Sequence, residues 1–471
     1  MERTVDVAII GAGTAGLNAM GQVRKAGKSF LLINGGHWGT TCARVGCMPS
    51  KAFIQVADDY HRREIFERHG IEGEAALSLD MIEGMEHVRD MRDIFVDRVL
   101  GSSTDDLPEE NMLEGYARFR DAETLDVGET VVHAKRFVIA TGTTPIVPAA
   151  WKKFGNRIMT TDEFFEQQDF PSTMAVIGLG VIGLELGQAL SRKGVKVTGI
   201  EGSDRIASLS DKIANDVAVQ LMRKEFDIWL GAQARLSEAG DKILVTAGEQ
   251  SVEVDKVLVA IGRRPNLENL GLDKLDLAVD QNGMPIFNPN TMQLGDLPIY
   301  MAGDVNGKRQ ILHEAGDEGR IAGYNAAYGR RTAFKRKTPL GITFCDPNIC
   351  TIGADWSELQ DNEDVVVGEM QMGPVGRALI MGKNKGVMRV YADRNTAKLL
   401  GATLVSVKGE NVAHLLAWSI QQGLTVFDML RLPFYHPVIE EALQAALYDV
   451  LKKLDVKSAA KILELEELKN D

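Results

Sequence analysis

The 471-residue chain carries one strand–turn–helix pattern twice. Near the N-terminus, "VDVAIIGAGTAGLNA" runs an apolar strand into Gly11, Gly13 and Gly16 and on into a helix; "MAVIGLGVIGLELG" repeats the arrangement with Gly178, Gly180 and Gly183. Glycines at this spacing let the chain turn tightly and bring backbone N–H groups against a pyrophosphate at the positive end of a helix. One such triplet alone is weak evidence; a strand before it and a helix after it give it meaning. Each copy runs on to a second apolar strand, "SFLLIN" and "KVTGIE", and Asn34 follows Gly11 by the same 23 positions that separate Glu201 from Gly178. At that strand end an acidic residue takes the hydroxyls of an adenosine ribose. Farther on, "RFVIATGTTP" (136–145) and "KVLVAIGRRP" (256–265) align residue for residue. The duplication predicts an α/β protein with two Rossmann-like dinucleotide-binding domains, and so two dinucleotides.

Between the modules, "GTTCARVGCMPSK" (39–51) holds Cys42 and Cys47, two of only four cysteines. Four cysteines are too few for a disulfide scaffold; a close pair reads as redox-active, as a structural bridge, or as half of a zinc site that would need two more ligands. Cysteines five apart around Gly46 can reach bridging distance. Pro49 suits a first helical turn, which puts Cys47 near a helix N-terminus, where a thiolate is stabilised. Two dinucleotides beside a thiol pair point to electron transfer.

The bulk properties remove other classes. A chain of this length predicts about three domains. A net charge of −13 and a pI of about 5.3 argue against nucleic acid and against an anionic membrane surface as partners. The first apolar run, Val7 to Ile10, is too short for a signal sequence, and the longest, Met174 to Leu184, is interrupted by three glycines. The expectation is a soluble cytoplasmic protein with no metal site.

Taken in order along nearly the whole chain, these motifs resemble the flavoprotein (pyridine nucleotide-) disulfide oxidoreductases, and within them the dihydrolipoamide dehydrogenases. The likeness extends to "ATG" (140–142), "AIGRRPN" (260–266), "YMAGDV" (300–305) and "HPVIEE" (436–441). It implies an FAD-binding domain over 1–149, an NAD-binding domain over 150–275, a central segment over 276–341 that completes the first, and a C-terminal α+β dimer-interface domain over 342–471. It implies FAD and NAD as cofactors. The cofactor-binding positions are Gly11, Gly13, Gly16, Asn34, Thr41, Lys51, Thr141, Gly142 and, for the second half, Gly178, Gly180, Gly183, Glu201, Gly262, Arg263, Gly303 and Asp304. By the same resemblance Cys42 and Cys47 form the redox disulfide, Cys47 beside the flavin and Cys42 facing substrate. His436 is the base that takes the proton of an incoming dithiol, oriented by Glu441. The implied reaction is oxidation of dihydrolipoamide, free or on a lipoyl-bearing protein, by a homodimer. A 2-oxo acid dehydrogenase or glycine cleavage complex is then a possible home, and the alternative is a related reductase with another thiol substrate. Glu201 argues for NAD over NADP.

Three departures stand out. Asn34 replaces the acid of the flavin module. Thr40 stands where a glycine is usual, and Ala43-Arg44 lies between the cysteines. Tyr435 and Val438 flank the His-Pro pair. Cys345 and Cys350 lack a Pro-Ser-Lys sequel and read as structural, as do His37 and His414; His313 reads as structural or flavin-adjacent.

Overall fold

The computed structural model describes residues 1–458, 462–466 and 468; residues 459–461, 467 and 469–471, at the end of the expected 342–471 domain, lie outside them. The first sheet is built on parallel strands in the order Met112–Glu114, Phe30–Asn34, Glu2–Ile10, Thr130–Ile139 and Ile299–Met301. Within the central strands, residues 7–10 and 31–33 are apolar throughout and buried, as expected where helices cover both faces of a parallel sheet. The last strand arrives from beyond the second module, so the chain leaves this sheet and returns to it. The helix that follows, Leu312–Tyr328, packs on Thr14–Lys25, the helix after the first glycine turn.

The second sheet repeats the plan. Parallel strands run in the order Asp227–Leu230, Lys196–Glu201, Thr173–Ile177, Lys256–Val259 and Ile158–Met159, with a three-stranded antiparallel meander over 235–254. The two modules are tied by a short antiparallel ribbon, Thr143–Pro145 with Arg263–Pro265. These are the aligned tails of the two repeats, so equivalent segments of the duplication pair with each other.

The third sheet is antiparallel, in the order Leu340–Thr343, Asn348–Gly353, Leu399–Ser406, Val387–Asp393 and Val365–Gln371. Helices Gly409–Gln422 and Glu441–Leu451 bury their apolar stripes against it. Buried charges join it to the second module: Asp211 caps helix Lys212–Met222 and accepts from Arg389 Nε and Tyr391 Oη, both at 2.6 Å. Among the described residues no helix is long and apolar enough to cross a membrane, and no His, Cys, Asp and Glu cluster could hold a metal ion.

Candidate functional site

The glycine turns have the same geometry in both modules. A Cβ on Gly11 would lie 2.3 Å from the Ala140 carbonyl oxygen, and one on Gly178 would lie 2.4 Å from that of Ala260. On Gly16 and Gly183 it would lie 1.9 Å from the carbonyl oxygens of Gly11 and Gly178. These four glycines are therefore required by strand–helix packing. Gly13 and Gly180 differ: a Cβ there would meet nothing within 4 Å. Each stands just before a helix, at the positive end of its dipole. The open backbone is where a pyrophosphate can approach, so each turn fits a dinucleotide.

Both turns open on one cavity of about 1080 Å³, lined by Gly13, Gly180, Thr41, Cys42, Cys47, Lys51, Gly142, Glu201, Gly262, Arg263, Gly303 and Asp304. Glu201 closes the second strand and accepts from the Leu179 amide at 2.8 Å and the Ser203 amide at 3.1 Å, which fixes its carboxylate beside the turn. Arg263 donates to Thr143 Oγ1 and O, both at 2.8 Å, clamping the ribbon between modules. Thr141 and Gly142 face the same ribbon, where Thr141 Oγ1 donates to the Asn266 carbonyl at 2.8 Å. The Gly303 amide donates to the buried Glu318 at 2.7 Å, and burial pushes the neighbouring Asp304 carboxyl up. Asn34 ends the second strand of the first module, and its Nδ2 donates to the Gly36 carbonyl at 2.8 Å.

Cys42 lies in the short helix Thr41–Val45, Gly46 breaks the chain, and Cys47 opens helix Cys47–His61. Cys42 is half-buried and Cys47 is exposed, and both line the cavity. They share a hydrogen bond. With Cys42 as donor and Lys51 nearby, Cys47 is held down to about 7. The same hydrogen bond, with burial, pushes Cys42 well above the ordinary thiol range. The arrangement favours ionisation of Cys47, at a helix N-terminus, over that of Cys42. Thr40, before the loop, has φ +64 and ψ +147, a region that favours glycine; its hydroxyl repays part of the strain by accepting from the Ala43 amide at 3.3 Å. Arg44 makes no ion pair among the described residues, and its Cδ lies 3.8 Å from where a Cβ on Gly39 would be.

The sequence reading missed Glu185. This carboxylate, 4% exposed, sits on the glycine-turn helix of the second module, accepts from Lys51 Nζ at 2.8 Å and from the Phe344 amide at 2.8 Å. It joins the thiol helix, the second module and the residue that follows the first strand of the third sheet. The available signal was a lone charge within "VIGLELGQAL".

His436 is not brought to this cavity. Its Nδ1 lies 2.8 Å from Glu441 Oε1, the other Glu441 oxygen accepts from the Val438 amide at 3.1 Å, and the imidazole is 81% exposed. Tyr435 beside it is also 81% exposed. Cys345 and Cys350 are buried with thiols pushed up by burial. His37 and His313 are exposed, and His414 bonds the Glu410 carbonyl one helical turn away at 2.7 Å.

Comparison with known proteins bears on this site as a whole. Residues 5–319 match the model of the pyridine nucleotide-disulphide oxidoreductases, and residues 340–447 match that family's dimerisation domain. A dihydrolipoyl dehydrogenase of Thermus scotoductus is 29% identical over 456 residues, covering 94% of this chain and 97% of the relative. A mercuric reductase of Lysinibacillus sphaericus is 28% identical, covering 91% of this chain and 79% of the relative. The solved HOCl-induced flavoprotein disulfide reductase RclA of Escherichia coli has the same fold, with a TM-score of 0.81 at 22% identity over 95% of this chain and 99% of that one.

Proposed function

Because the chain belongs to the pyridine nucleotide-disulphide oxidoreductase family, whose members use FAD and NAD(H), we propose that it is a dihydrolipoamide dehydrogenase that passes two electrons from dihydrolipoamide to NAD⁺. The observation that carries this reading is the single cavity on which both glycine turns and the thiol pair open. We assign 1–149 with 276–341 to FAD, 150–275 to NAD and 342–471 to the dimer. Bound FAD supplies the two-electron relay between the thiol pair and the nicotinamide.

The residues of the chain do the rest. His436, its Nδ1 side occupied by Glu441, has Nε2 available to take a proton from one thiol of the substrate. The resulting thiolate attacks Cys42 Sγ, the Cys42–Cys47 bond breaks, and Cys47 leaves as a thiolate. A second attack, within the mixed disulfide, releases lipoamide and leaves Cys42 as a thiol. A Cys47 held down to about 7 is a good leaving group, and the raised Cys42 is the sulfur that keeps its proton. Glu201, at the ribose position, favours NAD over NADP.

The absence of His436 from the cavity lining fits a homodimer in which each histidine serves the partner's thiols. The dimerisation-domain match and the exposed Leu379, Ile380 and Trp418 support that assembly. A second reading keeps this chemistry and changes the thiol; exposed Tyr435 beside the base and Arg44 in the redox loop favour it. Steady-state assays with dihydrolipoamide, glutathione disulfide and coenzyme A disulfide, each with both nicotinamides, separate the two. The highest kcat/KM falls to dihydrolipoamide with NAD⁺ if the first reading holds. A higher value for another disulfide would replace it.

A further inference from the structure

The duplication allows one module to be compared with the other at the end of the second strand. In the second module Glu201 closes that strand, and its in-register neighbour on the next parallel strand is Leu230. In the first module Asn34 closes it, and the in-register neighbour is Glu114. Neighbours in register across a pleated sheet project from the same face. Each module thus carries one carboxylate in this row, on different strands.

The local bonds fit such an exchange. The Asn34 side chain spends its donor on the Gly36 carbonyl and keeps a neutral carbonyl oxygen as its acceptor. Glu114 is exposed; its Oε1 accepts from Trp38 Nε1 at 3.2 Å, and Oε2 has no partner among the described residues. Trp38 lies in the loop that leaves Asn34, so the indole holds the carboxylate toward that strand end. Two residues on, the Tyr116 ring covers Gly35, 2.6 Å from where a Cβ would be, yet the residue is 81% exposed. A held carboxylate and an exposed ring therefore flank the strand end at which the adenosine of a dinucleotide binds.

We propose that Glu114 supplies, in the first module, the anionic acceptor for adenosine ribose hydroxyls that Asn34 lacks, with Trp38 as its positioning residue. This rests on the assignment of FAD to the first module.

Calorimetric titration of flavin-free protein with FAD, and separately with FMN, tests it, because FMN has no adenosine. Glu114→Gln loses one charge-assisted hydrogen bond, so FAD affinity falls about tenfold while FMN affinity stays within about twofold. Adding Asn34→Asp restores a carboxylate on the second strand and returns FAD affinity to within about threefold of the wild type. Thermal unfolding of the flavin-free variants serves as the folding control. Glu114→Gln with wild-type FAD affinity, an equal loss for FAD and FMN, or no rescue by Asn34→Asp would each overturn the proposal. Failure of the wild-type protein to take up FAD at all would instead remove the underlying assignment.

Discussion

Lys51 Nζ lies 2.8 Å from Glu185 Oε2, although 134 positions separate them in the chain. Lys51 stands one turn after Cys47, and Glu185 stands on the glycine-turn helix of the second module. Glu185 is the buried partner, so removing the lysine leaves a charge with only the Phe344 amide to offset it. Lys51→Met is expected to cost about 3 kcal/mol in urea unfolding. Lys51→Met with Glu185→Gln should recover to within about 1 kcal/mol of the wild type, because the neutral amide still accepts from Phe344. Equal costs for the single and double variants would show that the pair is not coupled.

The Cys47 thiol is lowered first by the hydrogen bond from Cys42, opposed by burial, and lowered further by the charge of Lys51. In flavin-free, reduced protein, alkylation of Cys47 by iodoacetamide, located by peptide mass mapping, should rise with pH around a midpoint near 7. Cys42→Ala removes the hydrogen-bond donor and should move that midpoint up by about one pH unit or more. An unchanged midpoint would mean that the two thiols do not share a proton.

Lys193 is buried, its Nζ lies 4.4 Å from the centre of the Phe53 ring and has no hydrogen-bond partner among the described residues, and burial lowers it from 10.5 to about 8. Below pH 8 it is charged in both the folded and the unfolded chain, so the cost of burying the charge is fully present. Between pH 8 and 10.5 the folded form sheds the proton first, and that cost fades. Lys193→Met should therefore stabilise the protein by about 3 kcal/mol at pH 7, with the gain shrinking as pH rises toward 10.5. A gain that does not change with pH would point to packing alone.

Where the sequence was legible, local chemistry was the reason. The glycine spacing dictated both turns because steric contact at Gly11, Gly16, Gly178 and Gly183 leaves no alternative. Pro49 and Gly46 located the helix start at Cys47 for the same kind of reason. Glu185 was not legible, because its meaning comes from Lys51 in another module. The strained backbone at Thr40 was visible only as an odd residue, since a sequence carries no φ. The internal repeat held more than it first yielded: Asn34 reads as a loss until the strand register sets Glu114 beside it.

Cys42 and His436 are 394 positions apart, and the cavity that holds the first does not include the second. Chains with Cys47→Ser and chains with His436→Ala, each nearly inactive, should regain activity when refolded together. In a two-fold dimer with shared sites about half the dimers are mixed and each has one intact site, giving roughly a quarter of wild-type activity. No recovery, with mixed dimers shown to be present, would place each histidine with its own chain's thiols.

The central claim is that dihydrolipoamide opens a Cys42–Cys47 disulfide. It is tested most directly by differential alkylation of the oxidised protein with mass mapping of all four cysteines. Before substrate is added, Cys42 and Cys47 should resist the reagent as a disulfide; after anaerobic dihydrolipoamide both should be labelled, and NAD⁺ added in excess before the reagent should protect both again. Labelling of Cys42 and Cys47 that stays the same across the three conditions, while NADH is formed at the full rate, would contradict it.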